Sequence, residues 1–329
     1  MRILTTSFFY YYNDTRGIEP QFYYLFRVPE SMGHQVDFFD HPTAARVGPG
    51  AGGVEHMRRV FLTLIKGGKY DVVFVATHKE EFDEETLREA RRYVPVIAWN
   101  SDDEWRWEEY SSKRVGWYTW MVTNSPEVYA RERGRHANLL HAQWACTGFW
   151  DGSGTVKDVD FSFAGMMYGK RREQVVELNR TAGLAAFGMG AKELGFPPPT
   201  SLPEDLRDPK LQTTISFEAI NGIWNRSRVS FTPLDSSDGT VRQIKSRVFD
   251  MGLSGTLMLA HRAPYLDTYY EPGREYVPFE TLEECAERAR WYLGHESERR
   301  RIADAYARRT RGEHMWRHRI EHVLRSAGV

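Results

Sequence analysis

The sequence predicts an α/β protein built from two similar parallel sheets, each covered by helices. Three observations predict it. Short β-branched or aromatic runs alternate with longer amphipathic stretches, the pattern of repeated strand–helix units. The series restarts: one set of runs fills residues 2–143, a second fills 159–279, and the aperiodic, turn-rich segment WDGSGTVKDVD at 150–160 lies between them. At 329 residues the chain is long enough for two cores of ordinary size. The expected domains are therefore 1–152 and 153–329, with the last helix able to pack back on the first domain.

In the first series the strands are expected at RILTTS (2–7), QVDFFD (35–40), DVVFVAT (71–77), PVIAWN (95–100), WMVTNS (120–125) and NLLHAQ (138–143). Helical spacing fills the gaps: EPQFYYLFRVPESMG, HMRRVFLTLIKGG, EETLREARRYV and SPEVYARERG. The last of these opens with Ser125 as an N-cap and Pro126 at the first helical position. The second series reads VDFSFAG (159–165), AAFGMG (185–190), TTISF (213–217), VSFTPL (229–234), TLMLAH (256–261) and EYVPF (275–279). Three arginine-rich helices follow Phe279, and their charge describes solvated faces or a phosphate contact.

A formal net charge of −1 argues against a general nucleic-acid or anionic-membrane binder, which needs a surplus of Lys and Arg. Cys146 and Cys285 are the only cysteines and lack ligand spacing, so neither a disulfide framework nor a zinc site is expected. The N-terminus reads as a strand rather than a leader, and no apolar run reaches the ~20 residues of a membrane span. A cytoplasmic protein, at most peripherally membrane-associated, is expected. Aromatic residues reach 14%, concentrated in FFYYY (8–12) and FYYLF (22–26), and serve as sugar or nucleobase platforms or as core.

Parallel α/β sheets bind ligands beyond the carboxyl ends of their strands, so the candidate residues are sought there. In VRQIKSRVFDMGLSGTLMLA, the bases Arg242, Lys245 and Arg247 surround Asp250. Such a set neutralises a diphosphate and reaches a ribose diol, or it forms i, i+3 ion pairs on a surface helix. Lys170, Arg171 and Arg172 open a helix, either as an ordinary solvated helix start or, since bases there oppose the helix dipole, beside an anion that relieves them. FGMG, with Gly188, lets a nucleobase lie against backbone. In the first domain Asp102 and Asp103 follow a strand end, as a general base or as caps of the next helix, and His78 ends another strand. The first-strand loop lacks GxGxxG, which disfavours a dehydrogenase. A DxD pattern is absent, and Lys and Arg can serve a leaving diphosphate, so no obligatory metal is expected.

From Gln243 onward the chain resembles the glycosyltransferase-like domain of the CgeB or spore-maturation type, a branch of the two-Rossmann-domain (GT-B) transferases. The order RVFD, MGLSG, TLMLA, HRAPYLDTY, YEPGREYVPF and TLEEC carries the resemblance, and VDFSFAGMMYGKRRE and PVIAWNSDDEWRW extend it more weakly. It implies two Rossmann-like domains facing across a central cleft, with C-terminal helices. It also implies that Gly165, Lys170, Arg171 and Arg172 lie by the donor phosphates and Arg247 and Asp250 by the nucleotide. The loop His261, Arg262, Ala263 and Pro264 would offer backbone groups to the donor. Two positions depart from the pattern: the usual glutamate is Asp250, and the other acidic position is Arg242. The expected activity is metal-independent transfer of a sugar from a UDP-, GDP- or TDP-linked donor to an unidentified hydroxyl acceptor. A non-turnover nucleotide or glycan module and a sugar-nucleotide epimerase are the alternatives.

Overall fold

The computed structural model describes residues 1–10, 17–48, 52–76, 81–195, 202–212, 215–236 and 239–329. The chain divides into two compact units: Met1–Asp14, Ile18–Gln143 and Trp316–Val329 form the first, and Thr15–Gly17 with Trp144–Met315 form the second.

The first unit holds β1 (Arg2–Ser7), β2 (Gln35–Asp40), β3 (Val72–Val75), β4 (Val96–Asn100), β5 (Trp120–Thr123) and β6 (Leu139–His141), in the order β2-β1-β3-β4-β5-β6. Every pairing is parallel. The helix Gly53–Gly68 buries Met57, Phe61 and Ile65, spaced one turn apart, against the sheet. Ser125 caps the helix Pro126–Glu132, its hydroxyl accepting from Val128 N at 3.3 Å. The C-terminal helix Trp316–Ala327 belongs to this unit, with Trp316 stacked on Tyr24 at 4.6 Å and tilted against Trp99 at 4.9 Å.

The helical stretch after β1 contains a π segment, Tyr23–Arg27. Pro29 has no N–H for the carbonyl of Leu25, and the Thr5 hydroxyl donates to that oxygen instead, at 2.7 Å.

The second unit holds β7 (Val159–Ala164), β8 (Ala185–Phe187), β9 (Ser227–Thr232), β10 (Leu257–His261) and β11 (Val277–Phe279), in the order β11-β10-β9-β7-β8 and again all parallel. Each unit's first strand therefore lies between its second and third. The strand order reverses direction at β1/β3 and at β7/β9, the places where such sheets open a crevice.

Two sequence expectations differ from the structure. The run TTISF is not a strand in its described part: Ser216 accepts from Ala219 N at 3.2 Å and caps a helix, Phe217–Arg226. Phe217, Asn221 and Trp224 are buried at helical spacing, and that period outweighs the β-branched run before them. The helix expected through RVFD is a single turn, Arg247–Asp250, followed by a 3₁₀ turn, Met251–Leu253.

Candidate functional site

In the second unit the candidate residues gather where the strands end. Gly165 follows β7, Gly188 follows β8, and His261 closes β10. Gly165 has φ +145° and Gly188 φ +108°, backbone that glycine adopts without strain. A Cβ on Gly188 would lie 2.3 Å from the carbonyl oxygen of Gly165, and one on Gly165 would lie 2.8 Å from Arg247 Nη2. Side chains are therefore excluded from the very spot where a guanidinium reaches the sheet edge.

Two arginines converge there. Arg247, at the start of its one-turn helix, stands over the Phe163 ring at 4.9 Å, and Arg171, in the first turn of the helix Lys170–Ala182, approaches the same ring at 6.0 Å. Arg171 also covers Tyr168 at 4.6 Å. Their polar contacts within the unit are to carbonyls: Arg171 Nη1 donates to Met166 O at 2.9 Å and Arg247 Nη1 to Ala164 O at 3.4 Å. Among the described residues neither forms an ion pair with a carboxylate. Burial, and then the charge of Arg171, pull the Arg247 guanidinium down to about 9. It stays cationic at neutral pH with the charge of Asp250 supporting it, and two like charges held together without a direct ion pair form an anion-receptive site.

The other predicted cations are engaged. Arg242 and Arg262 share Glu280, at 3.6 and 3.1 Å. Lys170 Nζ donates to Gly239 O and Arg172 Nη2 to Glu193 O, each at 3.2 Å. Lys245 is half-buried just before the one-turn helix. Asp250 is buried one turn beyond Arg247 and forms no ion pair with it, so the surface i, i+3 pair expected as one reading is not what the structure shows. Ala263 and Pro264 lie in the turn after β10, which leads into a single helical turn, Leu266–Tyr269.

Asp235, the first residue of the polar run DSSDG, follows β9 at the strand-order reversal. It accepts from Gln174 Nε2 at 2.9 Å and lies 3.7 Å from His261 Nδ1. Burial among Phe231 and Phe279 holds His261 down to about 4 in spite of Asp235, so this histidine is neutral at pH 7.

In the first unit Asp102 takes a left-handed conformation, φ 63° and ψ 25°, at the end of β4, with its side chain half-buried. Backbone held there by a non-glycine residue is strained, and such strain concentrates at working sites. Asp103 is fully buried and accepts from the Ser111 hydroxyl at 2.5 Å. It does not cap the helix, and its carboxyl is pushed up to about 6 by burial, against the hydroxyls of Ser111 and Thr123. His78 lies outside the described residues. A carboxyl that spacing could not reveal is Glu19, buried near the end of β1 and pushed up to about 8 by burial, opposed by the Gln21 N–H. Among the described residues no cluster of His, Cys, Asp or Glu is arranged to hold a metal, and no helix is long and apolar enough to cross a membrane.

The fold is shared with solved proteins. A glycosyltransferase from Rickettsia africae superposes with a TM-score of 0.65 at 11% identity, covering 99% of this chain and 97% of that one. HepE from Anabaena, in complex with UDP and glucose, gives 0.63 at 11% identity over 100% and 99%. The chain has the GT-B glycosyltransferase fold. A sucrose-phosphate synthase from Thermosynechococcus elongatus shares this GT-B fold with a TM-score of 0.62, at 11% identity over 99% and 98%. Within the GT-B fold, residues 204–325 match the family described as glycosyl transferase-like, which covers the Arg247 turn, β10, β11 and the helices after them. No curated protein matches the chain in sequence.

Proposed function

We propose that the chain is a glycosyltransferase that takes its sugar from a nucleoside-diphosphate donor held on the second unit. The observation that carries this reading is the pair Arg171 and Arg247, neither in an ion pair among the described residues, beside Gly165 and Gly188. In transfer, the bond between the anomeric carbon and the diphosphate oxygen breaks, the acceptor oxygen bonds to that carbon, and the hydroxyl proton passes to a carboxylate base or to the leaving diphosphate. Negative charge develops on the leaving diphosphate, and two cations fixed in a part-desolvated site stabilise it without a metal. The glycines let the donor approach the backbone, and neutral His261 with Asp235 offers hydrogen-bonding groups at the next strand ends.

UDP is the first nucleotide to test, because HepE, with the same fold, was crystallised with UDP and glucose and with UDP-glucose. On the acceptor side, Asp102 is the better placed of the adjacent aspartates to meet a hydroxyl, since Asp103 is enclosed. A transfer and hydrolysis assay over UDP-, GDP- and TDP-sugars tests the reading. Turnover of at least one donor is expected, with Arg247→Ala lowering it about 100-fold or more, as for loss of one preorganised charge donor. Binding without turnover of any donor would instead mark a nucleotide- or glycan-binding module, and conversion of the sugar without an acceptor would mark an epimerase.

A further inference from the structure

At the opposite edge of the second sheet, where its strands begin, lies a cavity of about 540 Å³. The turn Gly152-Ser153-Gly154-Thr155 forms one side and the helix Glu296–Glu313 the other. This is not the donor edge: Lys157 precedes β7, Gly255 precedes β10, and the six-residue β7 separates the two edges by ~20 Å.

The cavity wall carries more cations than carboxylates. Lys157, Arg299, Arg300, Arg308 and Arg311 line it, with Asp304 as the single lining carboxylate. Neighbouring carboxylates partly offset three of these arginines, leaving Lys157 and Arg308 without one among the described residues. Glu296 serves Arg228, Arg299 and Arg300 together and is held down to about 2, while Asp151 takes Arg311 at 2.9 Å. Arg308 forms no ion pair among the described residues. Lys157 is part-buried, and its ammonium donates to Asn225 O at 2.7 Å and to Ser254 O. An ammonium has three N–H donors, so one remains for a ligand. Burial, and then the charge of Arg299, pull this amine down to about 7, a penalty that an anion in the cavity removes.

The turn is built to stay in place. A Cβ on Gly152 would lie 2.5 Å from Ser254 O, so only glycine lets the turn close against that strand start, and Gly152 N donates to Leu253 O at 2.9 Å. A solvated helix face explains Arg300 and Arg308 but not a concave wall with a part-buried lysine behind a pinned glycine turn.

We propose that this cavity is a second anion site, taking a small phosphorylated metabolite whose phosphate lies between Lys157, Arg300 and Arg308. Its volume is within the range of small-molecule pockets. The proposal stands apart from the donor reading, because it uses none of the donor residues. Calorimetric titration with inorganic pyrophosphate and with a hexose 6-phosphate tests it, using the full chain carrying Arg247→Met so that the donor edge is silenced. Both probes are expected to bind this variant, and adding Arg300→Glu and Arg308→Glu, which are exposed and not required for the core, is expected to weaken them at least about tenfold. The same two changes alone are expected to leave UDP binding unaltered. Absence of probe binding to the Arg247→Met chain would overturn the proposal, as would binding that the two glutamates leave within about twofold.

Discussion

At the residue scale, the proposed donor site rests on the pair at Phe163 and the glycines beneath it. Arg171 and Arg247 were legible in the sequence because each lies in a short basic motif next to a glycine turn. What the sequence could not show was which cations would be neutralised: Arg242 and Arg262 find Glu280 only once β10 and β11 are side by side. The close approach at Gly188 gives a prediction. Gly188→Ala combines an unfavourable φ with a 2.3 Å contact to backbone, and is expected to cost about 2 kcal/mol or more in thermal unfolding. Glu19 gives another. Its carboxyl is at about 8 in the folded chain against 4.5 ordinarily, so the stability it contributes is complete below pH 4.5 and is lost as pH rises to 8. The loss proceeds at up to ~1.4 kcal/mol per pH unit. Unfolding of the wild type and of Glu19→Gln, measured from acid to mildly alkaline pH, is expected to show this slope in the former only, and parallel curves would refute it. Burial produced that shift, which is why spacing alone did not reveal it.

At the element scale, strands were the most legible feature, because each is a short apolar run bounded by turn residues. The helix Phe217–Arg226 was hidden by TTISF, whose β-branched residues end in a cap. Ser216→Ala is accordingly expected to destabilise the second unit by about 1 kcal/mol, read as a shifted denaturant midpoint with unchanged slope. The π segment at Tyr23–Arg27 was equally hidden, since it depends on a partner in β1. Thr5→Val removes the buried hydroxyl hydrogen bond to the Leu25 carbonyl and is expected to cost about 1 kcal/mol. A null effect would mean that the hydroxyl does not support that turn.

At the scale of the whole molecule, the repeat of one strand order in both units was readable as a restart of the strand–helix series, and the GT-B fold follows from it. The candidate site was proposed from sequence on the ground that ligands of such sheets lie at strand ends; the absence of an ion pair at Arg171 and Arg247 among the described residues required the three-dimensional packing. Hydrogen exchange with UDP is expected to slow residues 163–171, 186–190 and 244–250 of the second unit, as the proposed donor site requires. The central claim is that Arg247 is kept for an anion rather than for the fold, and it is tested most directly by one paired measurement on Arg247→Met: thermal unfolding without ligand and titration with UDP. Because Arg247 lies desolvated beside Arg171, its removal is expected to leave the unliganded protein equally or more stable, while UDP binding weakens about 100-fold. Wild-type affinity for UDP in this variant, or a marked loss of stability without ligand, would contradict the account.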